Sequence, residues 1–256
     1  MDIIEIPKAP ESLAQKEDTK APITEVLVLG MIHGKHRTSE KWGLQQLSQT
    51  IQRIAPDVIA CEIPPDRWQR IWRDWSERGV IEDPRVKRFP EYTDVLLPLK
   101  IQMGFEVEPC AGWTKEMSDL RETRIEQFSH EPKFADAYQA YEKENELVAT
   151  RHAAHPIDEE DPRIIHSAVY DQRTKEELTP YDKYLNDLIG PGGWRNINEA
   201  HYRLVDRAIS RNRGKRILIT FGAGHKYWLL EKLRQRTDIK LVDVTPFLPQ
   251  RLAGHN

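Results

Sequence analysis

The chain is short of cysteine. Cys61 and Cys110 are its only two in 256 residues, too few for a disulfide framework, and free thiols suit a reducing compartment, so the cytoplasm is the expected location. It has no apolar run of the ~18 residues that a membrane span requires. It also lacks an excess of one charge: 38 Lys and Arg against 41 Asp and Glu leave a net charge of −3, which supplies no basic field, so no nucleic-acid partner is expected. The opening stretch MDIIEIPKAPESLAQKEDTKAP has no basic segment followed by an apolar core, so it does not read as a secretory signal, and residues 1–22 are expected to form an N-terminal arm. No Gly-x-Gly-x-x-Gly follows the first strand, which removes the dinucleotide-binding reading.

What is present is an ordinary globular composition, 39% hydrophobic and 31% charged, long enough for one sizeable core. Residues 23–256 read as a single α/β domain: a mainly parallel sheet of about five or more strands flanked by helices, with a helical insertion at about 111–193 over the strand C-terminal ends. EVLVLGM at 25–31 is an apolar strand. After it, Trp42, Leu44, Leu47, Ile51 and Ile54 form a helical stripe, with Ser39 as its expected N-cap. DVIACEIP at 57–64 is a second strand, and strand–helix–strand within about 40 residues demands a parallel pair with a right-handed crossover. PPDRWQRIWRDWSERG is a helix that opens on proline and closes on Gly79. EYTDVLLPLKIQMG is another, with a break expected at Pro98, before FEVEPC at 105–110. A helix at 194–214, the strand KRILITFGAG, a further helix and the strand IKLVDVTPF complete the pattern.

Three polar residues fall where parallel strands end, the edge at which open α/β sheets bind ligands. They are His33 after the first strand, Glu62 closing the second, and His225 in FGAGH after the late one. Gly30, Gly222 and Gly224 beside them give room for a sharp turn and for a ligand against the main chain. Ionisable groups partly withdrawn from water can trade protons near neutrality. Two chemistries fit. Two imidazoles and a carboxylate could hold one divalent ion (zinc, manganese or cobalt) with an open position. Alternatively, Glu62 could activate water without a metal while a histidine carries the proton or steadies the oxyanion. Either route hydrolyses an ester or amide in a small-molecule or peptide substrate.

Other residues join as expected substrate contacts: His36 and Arg37 just past the first strand, and Arg195, Asn198 and Tyr202 on the helix before the late strand. Asn198 and Tyr202, four apart, share a face. Trp68, Trp72 and Trp75 form one helical stripe, the pattern of a core face or of a pocket wall. His152 and His155 have ligand-like spacing, but no carboxylate is placed beside them by sequence.

GMIH at 30–33, VIACEIP at 58–64 and GAGH at 222–225 together resemble the superfamily that includes TraB proteins, Tiki-type proteases, erythromycin esterases and ChaN-like haem-binding lipoproteins. PDVIACEIP, GAGHKYWLLEKL and the pair Arg195-Asn196 are most similar to the TraB side. The resemblance covers residues 25–64 and 194–245. It implies His33, Glu62 and His225 as site residues, and it leaves the activity open between metal-dependent proteolysis, metal-free ester hydrolysis and non-catalytic capture of a metal, haem or peptide by a regulatory protein.

Overall fold

The computed structural model describes residues 22–128 and 130–250, so nearly all of the expected arm lies outside them. Strand β1 (Thr24–Met31) opens the sheet. Its alternation sorts side chains to two faces: Leu27, Leu29 and Met31 enter one core cluster, Val26 and Val28 the other, as a period of two requires. Helix α1 (Leu44–Ile54) follows. Its N-cap is Gly43, not Ser39. The Ser39 hydroxyl instead accepts from the Trp42 N–H at 3.1 Å, closing a local turn four residues before the helix. Strand β2 (Val58–Cys61) is buried throughout, and α2 (Pro65–Arg78) ends on Gly79 in the left-handed region at φ 68°, the helix stop that glycine adopts without strain. Trp68, Trp72 and Trp75 stack in series and pack against the first core cluster.

Residues Glu91–Leu96 form a π-helical turn that runs into α3 (Leu97–Met103). The irregularity expected at Pro98 therefore falls just before it. Pro98 has no N–H for the Asp94 carbonyl four residues back and its ring would crowd that carbonyl, which a wider turn relieves. Strand β3 (Glu106–Pro109) comes next, then α4 (Lys115–Phe128), α5 (Ala135–Ala154), the short α6 (Pro162–Ile165) and α7 (Ala168–Ile189). These helices form the insertion. It has its own small core of Phe128, Phe134, Leu185 and Ile189 with Tyr138, Tyr141, Tyr181 and Tyr184. Helix α8 (Trp194–Arg211), β4 (Arg216–Gly222), α9 (Ala223–Leu233) and β5 (Ile239–Leu241) complete the fold.

The five strands are parallel, in the order β3-β2-β4-β1-β5. The late strand β4 slots between β1 and β2, pairing Met31 with Gly222 on one side and Cys61 with Thr220 on the other. Three strands far apart in sequence thereby become central neighbours, and strands lie about 4.8 Å apart. Their C-terminal ends carry His33, Glu62 and His225. The insertion docks on this edge through His166, whose Nε2 accepts the Gly30 N–H at 2.9 Å while its Nδ1 donates to the Pro162 carbonyl at 2.6 Å.

Candidate functional site

The sheet brings the three expected residues to one rim. Glu62 leaves β2 with its N–H shared between the Thr220 carbonyl and the Tyr92 hydroxyl, both at 3.1 Å. Tyr92 in turn donates to the same carbonyl at 3.2 Å. Its carboxylate is fixed at one oxygen, where Oε2 accepts the Gly222 N–H at 2.8 Å. The other oxygen, Oε1, lies 3.9 Å from His225 Nε2. Gly222 is where a glycine is demanded by space. A Cβ there would stand 2.5 Å from His33 Nε2 and 3.5 Å from Glu62 Oε2, between the two.

The glycines do not act through sharp turns, as the sequence suggested: Gly30, Gly222 and Gly224 all avoid positive φ. The left-handed residue is His33 itself, at φ 51°, a conformation that costs a non-glycine residue about 1–2 kcal/mol. Gly30 likewise serves close packing, since its Cβ would meet Ala223 Cα at 3.2 Å.

Each imidazole has one nitrogen engaged, which leaves the other to face the site. His33 Nδ1 donates to Glu91 Oε1 at 2.6 Å, so Nε2 is the nitrogen left for chemistry. His225 Nδ1 is 2.8 Å from Asn198 Oδ1. The Asn198 amide nitrogen already donates to the Trp194 carbonyl at 2.8 Å, so its oxygen is the one that accepts, and His225 Nε2 carries a lone pair. Trp194 stacks on the His225 ring, 4.7 Å between centroids and 17° between planes, and is tied back by Nε1 to the Tyr227 hydroxyl at 2.8 Å. The opposite case is His201 on α8. Its Nδ1 accepts the Gly112 N–H at 2.8 Å, so in the neutral ring Nε2 bears the hydrogen and can only donate.

The environments push these groups apart. Burial would lower the His33 pKa, but the Glu91 hydrogen bond and the charges of Glu62 and Glu91 outweigh it, and the net shift is upward from 6.5. Burial dominates at His225. The pull of Glu62 does not offset it, and His33 and Arg121 add to the depression. Burial and the His225 charge drive His201 down to about 3. Glu62 is buried too, yet the histidines around it and the Gly222 N–H hold its carboxyl below the ordinary value. A cleft of about 280 Å³ opens here, lined by Met31, Ile32, His33, Tyr170, Gly222 and His225 among others. Tyr170 belongs to the insertion, which to that extent roofs the site.

Of the expected substrate contacts, Asn198 joins the site, as the residue that orients His225. The others do not. His36 is buried, with Nδ1 donating to the Trp42 carbonyl at 2.7 Å and Nε2 accepting the Ile32 N–H at 3.1 Å. Burial takes its pKa to about 4, so it is a neutral strut of the strand-to-helix connection. Arg37 is exposed and faces Asp94 at 3.5 Å. Arg195 turns to Asp187 at 2.7 Å, bracing the α7–α8 corner with Asn196, which donates to the Gly190 carbonyl. Tyr202 packs into the second core cluster near Lys232. His152 sits between Glu176 and Glu177 within the insertion. Glu91 and His201 complete the site. His201 lies three residues from Asn198, a helical spacing that places both on one face; Glu91, inside a π-turn, has no such signal.

The donor set fits a divalent ion poorly. Glu62, His201 and His225 offer ligand atoms within 4.8 Å of one another, with His201 in the place expected for His33. A metal-bound histidine donates its second N–H to an acceptor. His201 does the reverse, spending its Nδ1 lone pair on Gly112 and pointing a hydrogen inward. No protein-family model matches this chain, and neither a curated protein nor a solved structure shows significant similarity to it.

Proposed function

We propose that the chain hydrolyses an ester or amide bond of a small-molecule or peptide substrate by metal-free acid–base chemistry in the cleft lined by His33 and His225, with Glu62 behind them. The observation that carries this reading is the opposed tuning of two imidazoles that face one carboxylate, since groups driven apart in proton affinity divide acid and base roles between them. His225, kept neutral, takes a proton from water at Nε2. Glu62, ionised beside it, steadies the imidazolium that results. His33, kept protonated by Glu91, gives its Nε2 proton to the leaving oxygen or nitrogen. His201 presents an N–H beside Glu62, and the Gly222 N–H holds that carboxylate still.

The cleft volume of about 280 Å³ lies at the small end for ligand pockets, which favours a compact reacting group over haem. The resemblance to erythromycin esterases and TraB proteins agrees with hydrolysis, and so does the central placement of the three residues.

The test is a pH–rate profile over a panel of aryl esters and short peptides. The base must be neutral and the acid protonated, so activity should be bell-shaped, with the lower limb below pH 6.5 from His225 and the upper limb above it from His33. His33→Asn and His225→Asn should each remove one limb and lower turnover by roughly 10²–10⁴-fold, with unchanged melting temperature. Chelator should leave the rate intact. Stoichiometric zinc, manganese or cobalt in purified protein, lost together with activity, would overturn the metal-free mechanism. A Soret band would point to haem capture instead.

A further inference from the structure

Beside the site, two arginines gather on one aromatic ring, with no carboxylate paired to either among the described residues. The Arg85 guanidinium lies 5.9 Å from the Trp113 ring centre and the Arg121 guanidinium 5.8 Å from it. Arg121 also lies over Tyr181 at 5.4 Å. Trp113 directly follows Gly112, the residue whose N–H holds His201, so this segment adjoins the site, and the Arg85 and Arg121 charges act on His201 and His225 respectively.

Both arginines are half-buried, and among the described residues neither forms an ion pair. Among the described residues Arg85 has a single side-chain hydrogen bond, from Nη1 to the Trp113 carbonyl at 3.4 Å. Asp83, two residues before it, is already taken. Its carboxylate accepts from Arg67 at 3.1 Å and Arg70 at 2.7 Å, and from the backbone N–H groups of Arg85 and Val86. Arg121 has no acceptor among the described residues. Burial and the Arg67 charge lower the Arg85 pKa against the pull of Glu62 and Asp83, and Arg121 adds to the depression of His225. Their charge therefore reaches the reacting residues.

Two like charges drawn together out of water are unfavourable unless something offsets them. Stacking on indole holds a guanidinium in place, but it leaves the N–H fork free, and that fork matches a planar or tetrahedral oxyanion. We propose that Arg85 and Arg121, gathered on Trp113 beside His201, form a subsite for an oxyanion, a carboxylate or phosphate group carried by the substrate. The substrate's fate rests on the hydrolytic reading above; the anion binding does not.

The experiment is calorimetric titration of the full-length chain at low ionic strength with inorganic phosphate and, separately, with succinate. The expected result is one saturable site at which each anion displaces the other, the tighter of the two identifying the group. The double variant Arg85→Gln/Arg121→Gln should bind at least ~10-fold more weakly, the loss of one charge-assisted contact or more, with unchanged circular dichroism. Should that variant not fold, Arg85→Lys/Arg121→Lys keeps both charges but loses the forks, and should weaken binding measurably. Absence of saturable binding to the parent protein, or equal binding by parent and variants, overturns the subsite. If phosphate or succinate binds as expected while no ester or amide is cleaved, the hydrolytic reading fails and the subsite stands. If esters are cleaved and neither anion binds, the converse holds.

Discussion

The partner of one ring nitrogen limits what the other can do, and its charge biases whether that other nitrogen carries a proton. In the proposed mechanism Glu91 favours His33 as the acid, Asn198 leaves His225 as the base, and Gly112 makes His201 a donor. Glu91 is the strongest of these levers. It is buried, with Oε2 lacking a hydrogen-bond partner among the described residues, so its charge falls largely on the imidazole. Glu91→Gln keeps the acceptor geometry but removes that charge. The upper limb of the pH–rate profile should then move to lower pH, with turnover at pH 7.5 falling roughly 10–100-fold, the usual scale for a residue that orients a reacting one. An unmoved limb would mean that His33 is not the acid. Gly222→Ala tests the space between His33 and Glu62. The new methyl would displace the His33 ring, and overpacking of this kind costs about 1–3 kcal/mol. Activity should fall by more than that loss of stability accounts for, read from urea unfolding beside initial rates.

At the scale of elements, α9 divides its first turn between two tasks. His225 faces the cleft, while its neighbour Lys226 turns inward and is 2% exposed, paired with Asp171 of α7. The pair ties the insertion to the sheet layer, yet it is electrostatically expensive. Burial lowers the Lys226 pKa despite the attraction of Asp171, so desolvation exceeds the gain. Lys226→Met alone should destabilise by roughly 3–5 kcal/mol by stranding Asp171, whereas Lys226→Met/Asp171→Leu should be neutral or more stable. Chemical denaturation of the three proteins distinguishes these outcomes. A double variant as unstable as the single one would show that the pair contributes net stability.

For the whole molecule, acid is the natural denaturant. His36, His166 and His201 are held neutral by withdrawal from water, His36 and His201 being buried and His166 half-buried, with pKa values near 4, 3 and 3, against about 6.5 in an unfolded chain. Between those limits the unfolded state binds more protons. Stability is therefore complete above pH 6.5 and is lost as pH falls toward 3–4. The melting temperature should drop by several degrees between pH 7 and pH 5, and replacing His36 by Gln should flatten that slope. His33 acts in the opposite sense. Its raised value adds stability below pH 6.5 that disappears as pH rises through the folded value.

Local pattern was enough to reveal the parallel α/β class, the β1–α1–β2 unit, the stop at Gly79 and the three strand endings that carry His33, Glu62 and His225. Those signals are periodic or positional and survive without knowledge of neighbours. Sequence could not show that β4 inserts between β1 and β2, because strand order is chosen by long-range pairing. Nor could it assign the roles of histidines that look alike in one dimension. His36 and His166 are struts, while His33 and His225 face the cleft, a difference that depends on which group meets Nδ1 and which meets Nε2. Glu91 and the Arg85–Arg121 pair lie in segments with no motif at all. Their significance comes from being held out of water beside the site, and only the tertiary structure decides what is buried next to what.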